Sequence, residues 1–182
     1  MIQTPETVHE IGRFEADDVY HGTYEEFDQF SDEYLASVGF HFGDLPQAKY
    51  FATKRGPGGR IIQAQLVFNN LVDIGKDDWG WIDCKRGALQ CYMKFNQSGI
   101  SLDEEVFTTI LGPKPWNNAT FPITQKMSAE ERLAFANLLR AHNFDGVRYT
   151  NNYEPPQVTG GLAYFVLDAA QITIVSTVPL GQ

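Results

Sequence analysis

Apolar positions recur along this chain with two different periods, and the change of period marks out its elements. Ile61–Phe68 (IIQAQLVF) sets Gln63 and Gln65 at alternate places among apolar residues, which predicts a strand. Shorter β-rich runs stand at Val19–Thr23, Gly39–Gly43, Val147–Tyr149, Leu162–Leu167 and Ile172–Val178. Elsewhere the spacing is helical. Asp44 stands where an N-cap would, ahead of Pro46, Ala48, Phe51 and Ala52, and predicts a helix over 44–54. A second helix begins near Ile82 or Asp83. Ser101-Leu102-Asp103-Glu104 has capping-box spacing ahead of Val106, Phe107, Ile110 and Leu111, and Gly112-Pro113 stops this third helix, 101–111. Ser128-Ala129-Glu130-Glu131 repeats the box and opens a helix running to His142, with Leu133, Phe135, Leu138 and Leu139 facing inward. Residues 1–18 are polar apart from Ile11 and Phe14 and read as a short helix or arm. Thr23–Phe30, with an aromatic every third residue, reads as a turn or helix whose rings join the core. Gly112–Pro122 and Asn151–Pro156 read as loops.

Composition narrows what such a chain can do. Its 182 residues make one domain large enough for a proper core, and no internal repeat or linker divides it. The formal net charge is −9 and the sequence pI about 4.8, which opposes phosphate-driven binding of nucleic acid and favours partners with a basic patch. No apolar run reaches the roughly 20 residues of a membrane helix, and the acidic start is not a signal or transit peptide. A cytoplasmic protein without membrane contact is expected. Cys84 and Cys91 have neither CxxC spacing nor neighbouring histidines, so no metal is expected. They read as reduced thiols, with a local disulfide as the alternative.

Candidate chemistry gathers around three short stretches. Val19-Tyr20-His21-Gly22-Thr23 ends a strand on an imidazole, a thin backbone and a hydroxyl. Gly39-Phe40-His41-Phe42-Gly43 alternates Gly and His with aromatics, and the following helix carries Tyr50. Two strands with a His where the backbone is thin, then a helix bearing Tyr50, describe the wall of a cleft. Arg55-Gly56-Pro57-Gly58-Gly59-Arg60 could receive a pyrophosphate, although a hairpin loop is the commoner use of such a sequence.

In order, YHGT, GFHFGD and AKY resemble the NAD-binding half of the ADP-ribosyltransferase superfamily. There a His-Gly pair ends one strand, and a Gly-x-Tyr-Phe strand leads into a helix bearing a second Tyr. His21-Gly22 matches the first element; His41 stands where the family places its first Tyr; Tyr50 matches the second at a spacing two residues shorter. Asn69–Ile74 resembles the family's "strand, Asn-Pro-Leu, Asp" segment without its Pro. Phe144-Asp145-Gly146-Val147-Arg148-Tyr149, then Glu154, then Tyr164–Asp168 and Gln171-Ile172 resemble the C-terminal half of small phage and bacterial-toxin members.

That resemblance implies an α+β fold, a split antiparallel β-sandwich with peripheral helices, in which 75–127 is an unmatched helical insertion. It implies NAD as substrate and transfer of ADP-ribose to a macromolecular acceptor, a protein rather than a nucleic acid. By the same resemblance, His21 bonds a ribose hydroxyl, Gly22 clamps the nicotinamide amide, Thr23 orients the ribose, His41 packs near the nicotinamide and Tyr50 stacks on it. Glu154 is the implied catalytic carboxylate, because cleaving the nicotinamide–ribose bond requires stabilising an oxocarbenium-like cation. The polymerase branch places its Glu where this chain has Ala163. Asn152, two residues before Glu154, falls on the acceptor side, where arginine-modifying members carry a second Glu. An NAD glycohydrolase and an inactive binding module are the alternatives.

Overall fold

One long strand anchors the sheet. In the computed structural model, which describes residues 8–32, 38–77, 83–116, 125–152 and 161–180, β3 runs from Arg60 to Asp77. Ile62, Ala64, Leu66 and Phe68 on one of its faces are wholly buried, while Gln65 and Val67 on the other are exposed. β1 (His9–Thr23) pairs antiparallel with β3 over most of its length. On β3's other side, β6 (Ile172–Pro179) pairs antiparallel with Arg60–Leu66, and β4 (Gly146–Asn151) pairs parallel with Leu71–Asp77. β5 (Gly161–Val166) joins β4, and β2 (Phe40–Phe42) joins β5, both antiparallel. A bridge between Tyr20 and Gly43, with bonds of 2.9 and 3.0 Å, then ties β2 back to β1. The fold is α+β with a mixed six-stranded sheet, in place of the antiparallel pairing throughout that the sequence leads one to expect.

Among the described residues four α-helices accompany the sheet: α1 (Leu45–Thr53), α2 (Lys85–Gln97), α3 (Glu104–Leu111) and α4 (Ala129–Ala141). Asp44 caps α1 by accepting from the Gln47 N–H at 2.9 Å, and α4 has both bonds of the expected capping box. For α3 the expected box is displaced, because Asp103, not Ser101, caps the helix through the Glu105 N–H. The core has two main parts. Helices α2 to α4 cover one face of the sheet through Phe95, Phe107, Phe135, Val147 and Phe165, and the other face closes over Ala64, Leu66, Phe68, Phe42 and Val166. Leu133 departs from the helical pattern and is 59% exposed.

Two segments differ from their sequence pattern. Residues 9–18 belong to β1 and are neither a helix nor an arm. Pairing shifts register at Gly12 and again between Ala16 and Val19, with φ of 76° at Gly12 and 54° at Asp18, so no continuous alternation survives. Beyond the strand end at Thr23, the segment to Phe30 forms no helix, although Phe27 and Phe30 pack edge to face at 4.9 Å.

Candidate functional site

β1 and β2 part just beyond their bridge, and three expected site residues lie at the parting. Tyr20 spends its N–H and C=O on Gly43, so those groups point away from β3. In an antiparallel strand the next pair pointing the same way belongs to Gly22. No described strand meets it there, since the bridge at Tyr20 is the last pairing between β1 and β2. Among the described residues Gly22 therefore has one donor and one acceptor side by side without a strand partner, a match for a planar primary amide.

Gly22 is a glycine for a second reason. A Cβ there would lie 1.9 Å from the Ala48 carbonyl oxygen and 2.9 Å from the Ala52 nitrogen, so α1 seats its backbone directly on β1. This close approach also brings Tyr50, half-buried on α1, to the same side of the sheet. The Tyr50 ring lies edge-on to Phe51 at 5.4 Å, with the Lys54 ammonium 5.9 Å away.

The two histidines lie on opposite faces of this ribbon. His21 packs against Phe30 and Phe42 at 5.5 and 5.6 Å, and its Nδ1 lies 2.8 Å from the His41 carbonyl oxygen. That carbonyl can only accept, so Nδ1 carries the proton and Nε2 is left as an acceptor. Among the described residues Nε2 has no hydrogen-bond partner. Burial lowers the His21 pKa, opposed in part by the His41 carbonyl, and keeps the ring neutral. Such a nitrogen can receive the hydroxyl of a sugar.

His41 faces the helical layer. It stacks on Phe165 at 5.0 Å with 7° between the planes, and its Nε2 lies 2.5 Å from the Tyr149 hydroxyl. Burial, with a smaller contribution from His21, pushes its pKa down to about 3. The ring is a neutral, hydrogen-bonded brace joining β2 to β4 and β5. Tyr149 escaped the sequence-based selection, although its place in Val147-x-Tyr149 already put it on the inward side of a strand.

The remaining residues divide. Thr23 accepts from the Glu25 N–H at 3.1 Å and shapes the turn beyond the strand. Asn152 is half-buried directly after β4. Glu154 lies outside the described residues. Its flanks are nonetheless placed: Asn151 pairs with Gly161, and Asp44 at the start of α1 is so near Gly161 that a Cβ there would lie 2.5 Å from Oδ2. Gly161, the first described residue after Glu154, thus lies beside the start of α1.

The possible pyrophosphate turn is a hairpin-like connection from α1 to β3. The Tyr24 hydroxyl donates to the Gly56 carbonyl at 3.0 Å and accepts from the Arg55 N–H, while Arg60 pairs with Glu26 at 3.2 Å. Both cysteines are buried thiols outside any disulfide; Cys84 Sγ caps α2 by accepting from the Gly87 N–H. Among the described residues, no group of three His, Cys, Asp or Glu side chains could hold a metal ion, and no helix is long and apolar enough to cross a membrane. Comparison of the chain with protein-family models, with curated proteins and with solved structures finds no match.

Proposed function

We propose that this protein is an ADP-ribosyltransferase that cleaves NAD and passes ADP-ribose to an acceptor protein. The observation that carries the reading is the N–H and C=O pair of Gly22, which no described strand meets, beside a neutral His21 whose Nε2 is free to accept. The carboxamide of nicotinamide needs one donor and one acceptor in a plane, which is what Gly22 presents. A ribose hydroxyl then falls to His21. Tyr50 provides an aromatic ring on the helix that seats against Gly22, suited to stacking on nicotinamide. His41 supports the strands around that ring.

Glu154 supplies the charge in this scheme. As the nicotinamide–ribose bond lengthens, positive charge grows on the ribosyl carbon and its ring oxygen, and a nearby carboxylate stabilises it. Nicotinamide leaves as a neutral molecule, so no strong acid is needed. Support for Glu154 is its sequence position, between the paired strand ends Asn151 and Gly161, the latter beside the start of α1. The split-sandwich form of the family fold belongs to the same proposal, with the Tyr20–Gly43 bridge as the junction of its halves.

The test is incubation with NAD alone and then with NAD and a cell lysate. Nicotinamide release, together with an added ADP-ribose mass on protein, is the expected result. Release with free ADP-ribose and no modified protein would make the enzyme a glycohydrolase. No release under either condition would remove the enzymatic reading altogether.

A further inference from the structure

Strand β6 has one edge against which no described strand lies, since its pairing is with β3 alone. The strand is Ile-Thr-Ile-Val-Ser-Thr-Val-Pro, without a charged residue, and Val175 and Val178 are more than half exposed. Edge strands are usually blunted by charge, bulges or a covering loop; here β6 carries one extra residue, Val175, where its pairing shifts between Gln63 and Ala64, and Pro179 at the far end, but no charge. Unpaired N–H and C=O groups along an edge are a template on which an extended peptide can add as a further strand.

A groove of about 690 Å³ lies against the first residues of that strand. Ile172, Thr173 and Ile174 form one side of it, and Asp28, Asp32 and Asp168 contribute three carboxylates, with no Lys or Arg among the described lining residues. Two of the three are held in place by backbone donors: Ala169 N–H to Asp32 at 3.0 Å and Ala170 N–H to Asp168 at 2.8 Å. Phe30 also lines the groove and packs against the His21 ring at 5.5 Å. The groove is thus one side chain away from the proposed site.

We propose that the β6 edge and this groove dock an extended, Lys- or Arg-bearing segment of the acceptor protein, the backbone adding to β6 and the basic side chains entering among the three aspartates. The word acceptor rests on the transferase reading; the binding itself needs no NAD. The occupant follows from charge. A second copy of this chain would bring its own three aspartates and net charge of −9 to the same edge, and a nucleic acid would bring phosphates. A basic strand meets no such repulsion. The docking side chains are distinct from the modified residue, which lies at the NAD site.

The test is fluorescence anisotropy with the full chain and a labelled peptide of alternating lysine and valine, in the absence of NAD. Binding is expected for this peptide but neither for its glutamate counterpart nor for a version with alternate valines replaced by proline, which lacks the backbone donors. The triple substitution Asp28→Asn, Asp32→Asn and Asp168→Asn keeps oxygens able to accept from Ala169 and Ala170. It should weaken binding about tenfold, each partly exposed pair contributing about two- to threefold. If the triple variant does not fold, Asp28→Asn alone should show the smaller step. Unchanged affinity in the aspartate variants, equal binding of the proline peptide, tighter binding of a single-stranded oligonucleotide, or a dimer by sedimentation that blocks the peptide would each overturn the proposal. Nicotinamide release is measured in parallel. Lost docking with intact release refutes only this site, and intact docking without release refutes only the transferase reading.

Discussion

At the scale of single residues, the same side-chain type serves opposite ends in His21 and His41. His21 keeps one nitrogen unsatisfied at the strand parting, whereas His41 is stacked on Phe165 and bonded to Tyr149. A histidine protonated at pKa 6.5 when unfolded and about 3 when folded binds its proton mainly in the unfolded chain between those values. Its contribution is therefore fully present above pH 6.5 and is lost as pH falls toward 3. Urea denaturation of the wild type should show a loss on the order of 2–3 kcal/mol between pH 7 and 4.5 from this group alone. His41→Gln, which does not titrate, should lose correspondingly less over that interval; parallel curves for the two proteins would refute the assignment. The lowered His21 pKa has a kinetic counterpart: any acid limb in nicotinamide release that reports this ring should lie below the 6.5 of an unperturbed His, and a limb at or above 6.5 would refute the role. Glu154→Gln tests the remaining residue of the scheme. Removing the charge should cost about 10²–10³ in turnover, roughly 3–4 kcal/mol, with NAD affinity nearly intact because the charge is needed chiefly in the transition state. Glu130→Gln, in the exposed first turn of α4, is the control and should leave turnover unchanged. Full release by Glu154→Gln would mean that another carboxylate does the work.

At the scale of elements, the decisive contact is α1 seated on β1. Gly22→Ala would drive a methyl into the Ala48 carbonyl, and backbone cannot yield as a flexible side chain can. A loss of about 1–3 kcal/mol in thermal or urea unfolding is expected, along with weaker NAD binding because the Gly22 amide must move. Stability lost with NAD affinity unchanged would separate the packing role of Gly22 from the ligand role. This junction also shows what the sequence could and could not reveal. Asp44, Pro46 and the small Ala48 and Ala52 announced α1, and Ser128 with Glu131 announced α4, because caps and helical spacing are local. His-Gly at a strand end was equally local. β1 was hidden over residues 9–18 because its irregular register removes the period-two signal, and the bridge from β2 to β1 depends on partners 23 residues apart. Which face His41 takes is likewise settled by Tyr149 and Phe165, far along the chain. The local pattern identified the candidate residues; their division between two faces came only with the long-range pairing.

At the scale of the whole molecule, the strands differ in how completely they are enclosed. β3 has β1 on one side and β6 followed by β4 on the other, with wholly buried Ile62, Ala64, Leu66 and Phe68 along one face. Its amides alternate between the two sides, and those directed at β1 or β4 are released only when strands over the buried face separate, which approaches global unfolding. β6 has one described neighbour and largely exposed side chains, so its outward amides face solvent without any strand having to separate. Hydrogen-exchange mass spectrometry of the free protein should therefore find β3 the slowest strand and β6 among the fastest, despite their direct pairing. Slow exchange along β6 in the monomer would mean that its edge is already covered, and a peptide could then add only by displacing the cover. Fast exchange that slows when the lysine–valine peptide is added, with β3 unchanged, would locate the bound peptide on the edge. The contrast between adjacent strands is informative because a general stabilisation by ligand would slow both together.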